Sequence, residues 1–258
     1  MIGPGDPSGR GFEAIRHDRE DPRHGFEVLH HDADLLAVSK PSGLAVHRGW
    51  AAERDVALVR ARSLVGRRVY PVHRLDRGTS GVLLFALSPE RAAQLQARLA
   101  GGPRREGLAA ADKRYLALVR GIPDEEGTID HPVPRRRKSK ERVRAVTDYR
   151  RLGVFERFSL VEARPHTGRT HQIRRHMKHR SWPIVGDVHY GRGEINRRFR
   201  REFGLHRLAL HALSLELDHP GTGERLRLVA PLPPDLAVPL EAMGFGPVLA
   251  EVLSEAQG

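Results

Sequence analysis

The sequence predicts an α+β fold with a mixed, largely antiparallel sheet. Short apolar segments typical of strands outnumber the segments with helical spacing, and the two kinds do not alternate regularly along the chain. Regular alternation would indicate a parallel α/β sheet, so its absence favours the α+β class. With 258 residues, of which 39% are hydrophobic, the chain is long enough to bury a substantial core.

The first half of the chain is expected to combine short strands with two helices. Strands are predicted at Glu27–Leu29 and Leu35–Ser39, followed by a turn at "KPSG". The spacing in "RDVALVRARSLVG" predicts a helix, and the apolar run "GVLLFALS" predicts a strand buried on both faces. "SPERAAQLQARLAGG" predicts a second helix, with Ser88 as its N-cap and Pro89 at its first position.

The second half repeats this mixed character. "KRYLALVRG" is expected to be a strand, "VRAVTDYRRLG" and "RFSLVEARP" a neighbouring pair, and "HRLALHALSLELDHP" with "GERLRLVAPLP" a closing pair. "GRTHQIRRHMKHR" and "INRRFRREFG" have helical composition, and the tail is expected to end in one short amphipathic helix. Residues 1–24 lack periodicity and are interpreted as a leader, which leaves residues 25–258 as one domain.

The charge of the chain favours a polyanionic partner. The formal net charge is +12 and the calculated isoelectric point is near 10.9, values that suit a phosphate backbone. Arginine far outnumbers lysine, however, a bias that genomic composition alone would also produce. The basic stretch Pro134–Arg144 is expected to be an exposed loop. There is no cysteine, no signal-like apolar segment and no run long enough to cross a membrane, so we expect a cytoplasmic protein.

An unusual carboxylate lies in "YPVHRLDRGTSGVLLFA", which runs from Tyr70 to Ala86. Asp76 lies close to two arginines, Arg74 and Arg77, and the small residues "GTSG" follow immediately. Such an aspartate is ordinarily an exposed ion pair or a turn cap. Its place before a buried strand, next to residues that let a ligand approach closely, favours a nucleophile or a general base instead.

These residues also carry a family resemblance. "HRLDRGTSG" (His73–Gly81) resembles the catalytic motif of the RluA-like pseudouridine synthases. Five further segments are similar to family motifs and follow in the family's order, between about residue 26 and about residue 232. They are "VSKPSGLAVH", "KRYLALVRG", "ARPHTGRTHQIRRHM", "PIVGDVHYG" and "LALHALSLEL".

The resemblance implies a fold, a reaction and three catalytic residues. The fold would be a mixed sheet in two halves around a basic catalytic cleft, and the enzyme would be an isomerase that converts uridine in RNA to pseudouridine. Asp76 matches the catalytic aspartate, Tyr115 the tyrosine that stacks on the target uracil and assists proton removal, and Arg174 the arginine that pairs with the carboxylate. Neither a metal nor an organic cofactor is expected.

The resemblance also implies which residues contact RNA. Arg74 matches the arginine that enters the RNA helix in place of the displaced uridine, and the other candidates are Arg77, Lys113, Arg169 and His171. The same segment contains four histidines, His166, His171, His176 and His179, which raise the alternative of a metal site. We set this alternative aside because no acidic residue lies among them to complete an open zinc site.

Within the family, the chain resembles the TruC-like subgroup, which modifies tRNA in its acceptor-stem region. The match includes "RRHMKH" and the Asn-Arg-x-Phe-Arg segment. We therefore expect a tRNA substrate, with ribosomal RNA as the alternative, and a monomer without a separate N-terminal RNA-binding module. A non-catalytic RNA-binding protein on the same scaffold and a metal-dependent nuclease are weaker alternatives, because all three catalytic candidates are present and arginines surround Asp76.

Overall fold

The computed structural model describes residues 25–47, 55–100, 111–136 and 139–257. The predicted leader, residues 1–24, lies outside them. The elements of the first half are β1 (Glu27–His31), β2 (Leu35–Lys40), α1 (Ala57–Val65), β3 (Tyr70–Pro71), β4 (Ser80–Ala86) and α2 (Pro89–Leu99). Those of the second half are β5 (Asp112–Arg120), β6 (Glu126–Asp130), β7 (Val133–Pro134), β8 (Arg142–Val143), β9 (Val146–Phe155), β10 (Phe158–Pro165), α3 (Gln172–His179), α4 (Gly193–Phe203), β11 (Leu210–Asp218), β12 (Arg225–Val229), α5 (Pro234–Ala242) and α6 (Gly246–Gln257).

One mixed sheet of ten strands organises the described residues. Its path runs β1-β2-β4-β11-β5-β10-β9-β6, with β12 paired to β11 and β3 paired to β4. Every pair is antiparallel except β4 with β11, which are parallel. The predicted α+β class with a mixed, largely antiparallel sheet is confirmed.

The parallel pair joins the two halves of the sheet and places the aspartate motif at their junction. Only Ser80 and Gly81 of β4 pair with β11, opposite His211 and Ala212. Gly81 has a φ of +112°, and a Cβ atom there would lie 2.1 Å from the carbonyl oxygen of Ala212. Because any other residue would force these strands apart, glycine is required here. The loop that carries Asp76 immediately precedes this contact.

Core packing explains why β4 is so apolar. All seven of its residues are buried. Leu83 and Phe85 belong to a cluster on one side of the sheet, and Leu84 and Ala86 belong to a cluster on the other. The predicted strand buried on both faces is thus confirmed, and it fixes the end of the preceding loop firmly.

Several predicted boundaries hold and others need correction. Ser88 caps α2, since its hydroxyl accepts a hydrogen bond from the Arg91 N–H at 3.2 Å. The tail ends in a helix, α6, as predicted. A further helix, α5, precedes it, and Gly244 between the two adopts a φ of +85°. The stretch predicted as a basic loop contains the small hairpin of β7 and β8. Within the described residues, no helix combines the length and apolar character needed to span a bilayer.

Candidate active site

The loop between β3 and β4 is held against the "KPSG" turn that follows β2. Gly43 donates its N–H to the Arg77 carbonyl at 2.8 Å, and the Ser42 hydroxyl donates to the Gly78 carbonyl at 2.8 Å. Inside the loop, the Thr79 N–H donates to the Asp76 carbonyl at 3.0 Å. The backbone that presents Asp76 is therefore fixed by a segment more than thirty residues earlier.

Lys40 strengthens this attachment, and sequence reasoning gave it no role. Its side chain is fully buried, and its Nζ donates to the carbonyls of Pro41 and Leu44, each at 2.8 Å, and to that of Arg77 at 3.3 Å. Burial, reinforced by the charge of Arg207, lowers the pKa of Lys40 to about 7. A lysine that ends a buried strand just before a turn was the available signal.

Asp76 lies at the wall of a cavity of about 350 Å³. Its side chain is 15% exposed, so it is largely withdrawn from water yet can be reached by a ligand. Oδ2 accepts a hydrogen bond from Arg174 Nη1 at 2.9 Å. Oδ1 accepts no hydrogen bond from any residue that the structure describes, and His171 Nε2 lies 3.6 Å from it. One oxygen of the carboxylate is thus anchored and the other is available.

Arg174 is itself held by a second carboxylate, Asp187. Arg174 donates from Nε and Nη2 to the two Asp187 oxygens, at 2.7 and 2.9 Å. Asp187 is buried, and its Oδ1 also accepts the N–H groups of His189 and Tyr190. Burial alone would lower the pKa of Arg174, but the hydrogen bonds to Asp187 and Asp76 outweigh burial and raise it. The guanidinium is charged and locked in orientation.

The pKa of Asp187 moves in the complementary direction. Burial would raise it, but the hydrogen bonds and charge of Arg174 lower it, so Asp187 is anionic. Two carboxylates therefore share one guanidinium. Because Asp187 makes the bidentate contact and Asp76 only a single one, Asp76 keeps uncompensated negative charge that faces the cavity. Such a group can act as a nucleophile or a general base.

Tyr115 lies in β5 and lines the same cavity. It pairs with Ala212 of β11 and Ala163 of β10, and its ring packs against the core clusters of both sheet halves. Burial raises the pKa of Tyr115, and the negative charge of Asp76 raises it further. The phenol therefore stays protonated, and its ring offers a rigid stacking surface beside the carboxylate.

The five candidate RNA-contact residues lie around the same opening. Arg74, Lys113, Arg169 and His171 line the cavity, and Arg77 lines an adjoining groove. Three of them already bind backbone carbonyls: Arg77 that of Gly43, Lys113 that of Leu99 and Arg169 that of Arg144. Arg74 is exposed and makes no hydrogen bond or ion pair with any residue in the described ranges. Its side chain is the one most available to a ligand.

The groove beside Arg77 has a volume of about 1090 Å³ and shares Asp76, His171 and Arg174 with the cavity. Its remaining lining is strongly basic. The titratable cations and imidazoles along it include His47, Arg136, Arg175, His206 and Arg207. The cavity and the groove meet at the carboxylate, as required for a small group to enter the cavity while a polyanion lies in the groove.

The histidines that suggested a metal site are dispersed. His166 bonds Asp148, His176 is buried between Thr147 and the His131 carbonyl, and His179 stacks on the His131 ring. In the described chain, another group, His30, Asp32 and His219, brings three possible ligand atoms within 4.8 Å of one another.

Hydrogen bonding accounts for that group without a metal. His219 Nδ1 accepts the N–H groups of Gly221 and Thr222, each at 3.1 Å, so the ring proton resides on Nε2. Nε2–H then donates to Asp32 at 2.9 Å, and His30 Nε2 lies 2.6 Å from the same oxygen. The group ties the β1–β2 turn to the β11–β12 turn.

Comparison with known proteins gives matches over most of the chain. A family model for RNA pseudouridylate synthase matches residues 34–179. A protein named tRNA pseudouridine synthase C from Vibrio parahaemolyticus is 40% identical over 227 residues, which cover 80% of this chain and 89% of that protein. A protein of the same name from Pasteurella multocida is 41% identical over 227 residues, covering 80% and 90% respectively.

A solved structure shares the fold. Human RNA Pseudouridylate Synthase Domain Containing 4 aligns with a TM-score of 0.67 at 28% identity, over 84% of this chain and 92% of that one. The family model, the similar proteins and the shared fold agree with the RluA-like motifs of the sequence. The chain therefore belongs to the RNA pseudouridylate synthase family.

Proposed function

We propose that this chain isomerises a uridine of tRNA, in the acceptor-stem region, to pseudouridine. The observation that carries the proposal is Asp76, a carboxylate with one oxygen anchored by Arg174 and the other facing a cavity that opens into a basic groove. The names of the similar proteins from Vibrio and Pasteurella support tRNA as the substrate.

The chemistry suits the groups present. The reaction breaks the N1–C1′ bond of uridine and forms a C5–C1′ bond, without net oxidation or hydrolysis, so it calls for no redox cofactor. Asp76 attacks or assists at the sugar or the base and then leaves, while Arg174 keeps the carboxylate oriented. The C5 proton is lost and N1 gains a proton, so hydrogen balances over the reaction. Tyr115 supplies the surface on which the uracil stacks during this exchange.

Arg74 explains how the target base could leave its helix. Extruding a base costs a few kcal/mol, because stacking and pairing are lost. Arg74 is exposed at the meeting point of the cavity and the groove, without an intramolecular partner among the described residues. We assign its guanidinium to the space that the uridine vacates, where stacking and phosphate contacts offset part of that cost. Arg77, Lys113, Arg169 and His171 form the rim around it.

The proposal is tested by incubating the purified protein with unmodified tRNA and ribosomal RNA transcripts. Pseudouridine is detected by mass spectrometry and located by carbodiimide primer extension. We expect conversion at one uridine of the tRNA acceptor-stem region and none when that uridine is replaced by cytidine. Conversion in ribosomal RNA alone would assign the alternative substrate, and conversion of neither RNA would contradict the proposal.

Two further expectations concern the state of the protein. We propose that it is a monomer that acts in the cytoplasm, where its tRNA substrate occurs. Light scattering coupled to size-exclusion chromatography should give a mass near 28.9 kDa, that of one chain. A mass twice as large would contradict the monomer.

A further inference from the structure

His171 has a strained backbone and a defined position between two functional groups. It lies immediately before α3 with a φ of +54°, a conformation that residues other than glycine seldom adopt. Its Nε2 is 3.6 Å from Asp76 Oδ1, and its Nδ1 is 3.1 Å from the Tyr190 hydroxyl. The ring therefore lies between the available oxygen of the carboxylate and a phenol. Strain of this kind concentrates at functional sites.

The hydrogen bonds around Tyr190 determine which ring nitrogen carries the proton. Arg175 Nε donates to the Tyr190 hydroxyl at 3.0 Å, and a guanidinium can only donate. Among the described residues, the only acceptor for the hydroxyl hydrogen is His171 Nδ1. A hydroxyl that donates to Nδ1 places the ring proton on Nε2, and the Asp76 carboxylate, whose Oδ1 faces Nε2 at 3.6 Å, favours the same tautomer.

We propose that His171 is a positioning residue for the reactive carboxylate, held by Tyr190 in the tautomer that presents Nε2–H to Asp76 Oδ1. The inference rests on the proposed function, since it assumes that Asp76 is the reactive group. Arg174 fixes Oδ2 and His171 directs Oδ1, so the two together set the plane of the carboxylate. The 3.6 Å separation shortens to hydrogen-bond distance when RNA fills the cavity, as catalytic contacts commonly do.

The loop from Asp187 to Tyr190 holds both Arg174 and His171, the two residues next to the Asp76 carboxylate. Asp187 at its start holds Arg174, and Tyr190 near its end holds His171. The loop is closed by the Tyr190 N–H, which donates to Asp187 Oδ1 at 3.0 Å. The Tyr190 ring also lies under the guanidinium of Arg174, with Cζ 5.2 Å from the ring centroid. A displacement of this loop would therefore misplace both contacts at once.

Neutral histidine suits this role better than the imidazolium. Burial lowers the pKa of His171, Asp76 and Asp187 oppose that effect, and Arg174 and Arg175 add to it. The His189 ring, 6.3 Å away, and the Tyr190 phenol complete the titratable surroundings. A protonated His171 would form an ion pair with Asp76 and remove the charge surplus, whereas the neutral ring orients the oxygen without cancelling it.

The first test reads the tautomer directly in the full chain without RNA. Long-range ¹H–¹⁵N spectra of the imidazoles at pH 7, with His171→Gln to assign the signals, should show a protonated Nε2 and an unprotonated Nδ1. In Tyr190→Phe the ring should become a mixture of tautomers. A His171 ring protonated at Nδ1, or at both nitrogens, would overturn the proposal even if the protein modifies tRNA as expected.

The second test is a double-mutant cycle on the single-turnover rate at saturating tRNA. His171→Leu should lower the rate by about 100-fold, the loss typical of a misplaced reacting group, while His171→Gln, which keeps a donor at the Nε2 position, should recover most of it. Tyr190→Phe should slow the wild type but not the His171→Leu variant, because Tyr190 acts through His171. The Kd for tRNA should change much less than the rate, because His171 is only one of several residues around the opening, and His166→Gln is the matched control.

Two results would contradict a positioning role. Additive effects of the Tyr190 and His171 substitutions would show that they act independently. A fall in tRNA affinity as large as the fall in rate would make His171 an RNA-contact residue only. If the wild-type protein modifies no tRNA, the proposed function fails, and the NMR result still decides the tautomer.

Discussion

Two clusters of arginine and carboxylate, each built around a buried guanidinium, lie on opposite faces of the same strand. Tyr115 and Arg114 are neighbours in β5, so their side chains point to opposite sides of the sheet. On the side of Tyr115, Arg174 binds Asp76 and Asp187. On the other side, Arg114 binds Glu162 and Glu255. The chemistry of the groups is the same in both clusters.

The clusters differ in charge balance and access. Glu162 is 1% exposed, and both of its oxygens accept from guanidinium groups, one from Arg114 and the other from Arg164. With Arg150 beside Glu255, that cluster holds three arginines against two carboxylates. The Asp76 cluster holds one arginine against two carboxylates, and one Asp76 oxygen faces a cavity.

This difference separates a structural ion-pair network from a reactive one. A buried ion pair by itself is weak evidence of either role, because desolvation offsets much of its attraction. A carboxylate whose oxygens are all bound by guanidinium groups has no free oxygen with which to react with a substrate. A surplus of negative charge at an accessible oxygen is available for chemistry, and the predictions below test this distinction.

Apart from substitution of Asp76 itself, the largest effect on the rate is expected from Asp187→Asn, in the same cluster. Without its carboxylate, Arg174 loses its bidentate partner and is free to turn fully towards Asp76, which neutralises and moves the reactive group. The single-turnover rate of pseudouridine formation should fall by about 100-fold or more. A rate within a few-fold of the wild type would show that Asp187 does not set the geometry of Arg174.

The converse substitution is Glu162→Gln in the structural cluster. Removing one buried partner leaves Arg114 and Arg164 short of a counter-charge, so the free energy of unfolding should fall by about 3–5 kcal/mol. The rate per folded molecule should be unchanged. Urea unfolding and single-turnover assays on the same preparation measure both quantities, and a large loss of rate without a loss of stability would contradict the comparison.

A smaller effect is expected from Arg74→Ala, because Arg74 belongs to neither cluster. Loss of its stacking and phosphate contacts should lower the rate on folded tRNA by about 10-fold, consistent with about 1–3 kcal/mol per stacked base. The rate on a short flexible single strand should fall much less, because no helix has to be opened. Arg62→Ala, which removes an exposed arginine from α1, is the matched control. Equal losses on both RNAs would argue against insertion of Arg74 into the helix.

The sequence predicted much of this arrangement because the functional groups lie in distinct local patterns. Asp76 stands before a continuous apolar strand, and the six motifs in order led to Tyr115 and Arg174 as its partners. Asp76 and Arg174 are 98 positions apart, and no local pattern indicates that the two groups meet; only the resemblance supplied that pairing. The sheet class followed from the number of strand-like segments and their irregular order.

Other features depend on contacts that no local pattern shows. Asp187 and Tyr190 lie in a segment noted as a motif, yet nothing in "PIVGDVHYG" indicates that one holds Arg174 and the other His171. The position of Lys40 at the end of a buried strand marks it as unusual, but only the structure shows that three carbonyls from two segments converge on its Nζ. The final helix α6 was predicted but α5 was not, because an apolar pattern continues across Gly244, whose positive φ separates the two helices.

The most direct test of the account is Asp76→Asn, which keeps the shape of the side chain and removes its charge. With Asp124→Asn as a matched control at an exposed site, both variants should unfold at nearly the wild-type urea concentration and bind tRNA with nearly the wild-type Kd. Pseudouridine formation should be undetectable in Asp76→Asn and unchanged in Asp124→Asn. Measurable conversion by Asp76→Asn would show that the surplus carboxylate of the cleft does not perform the reaction.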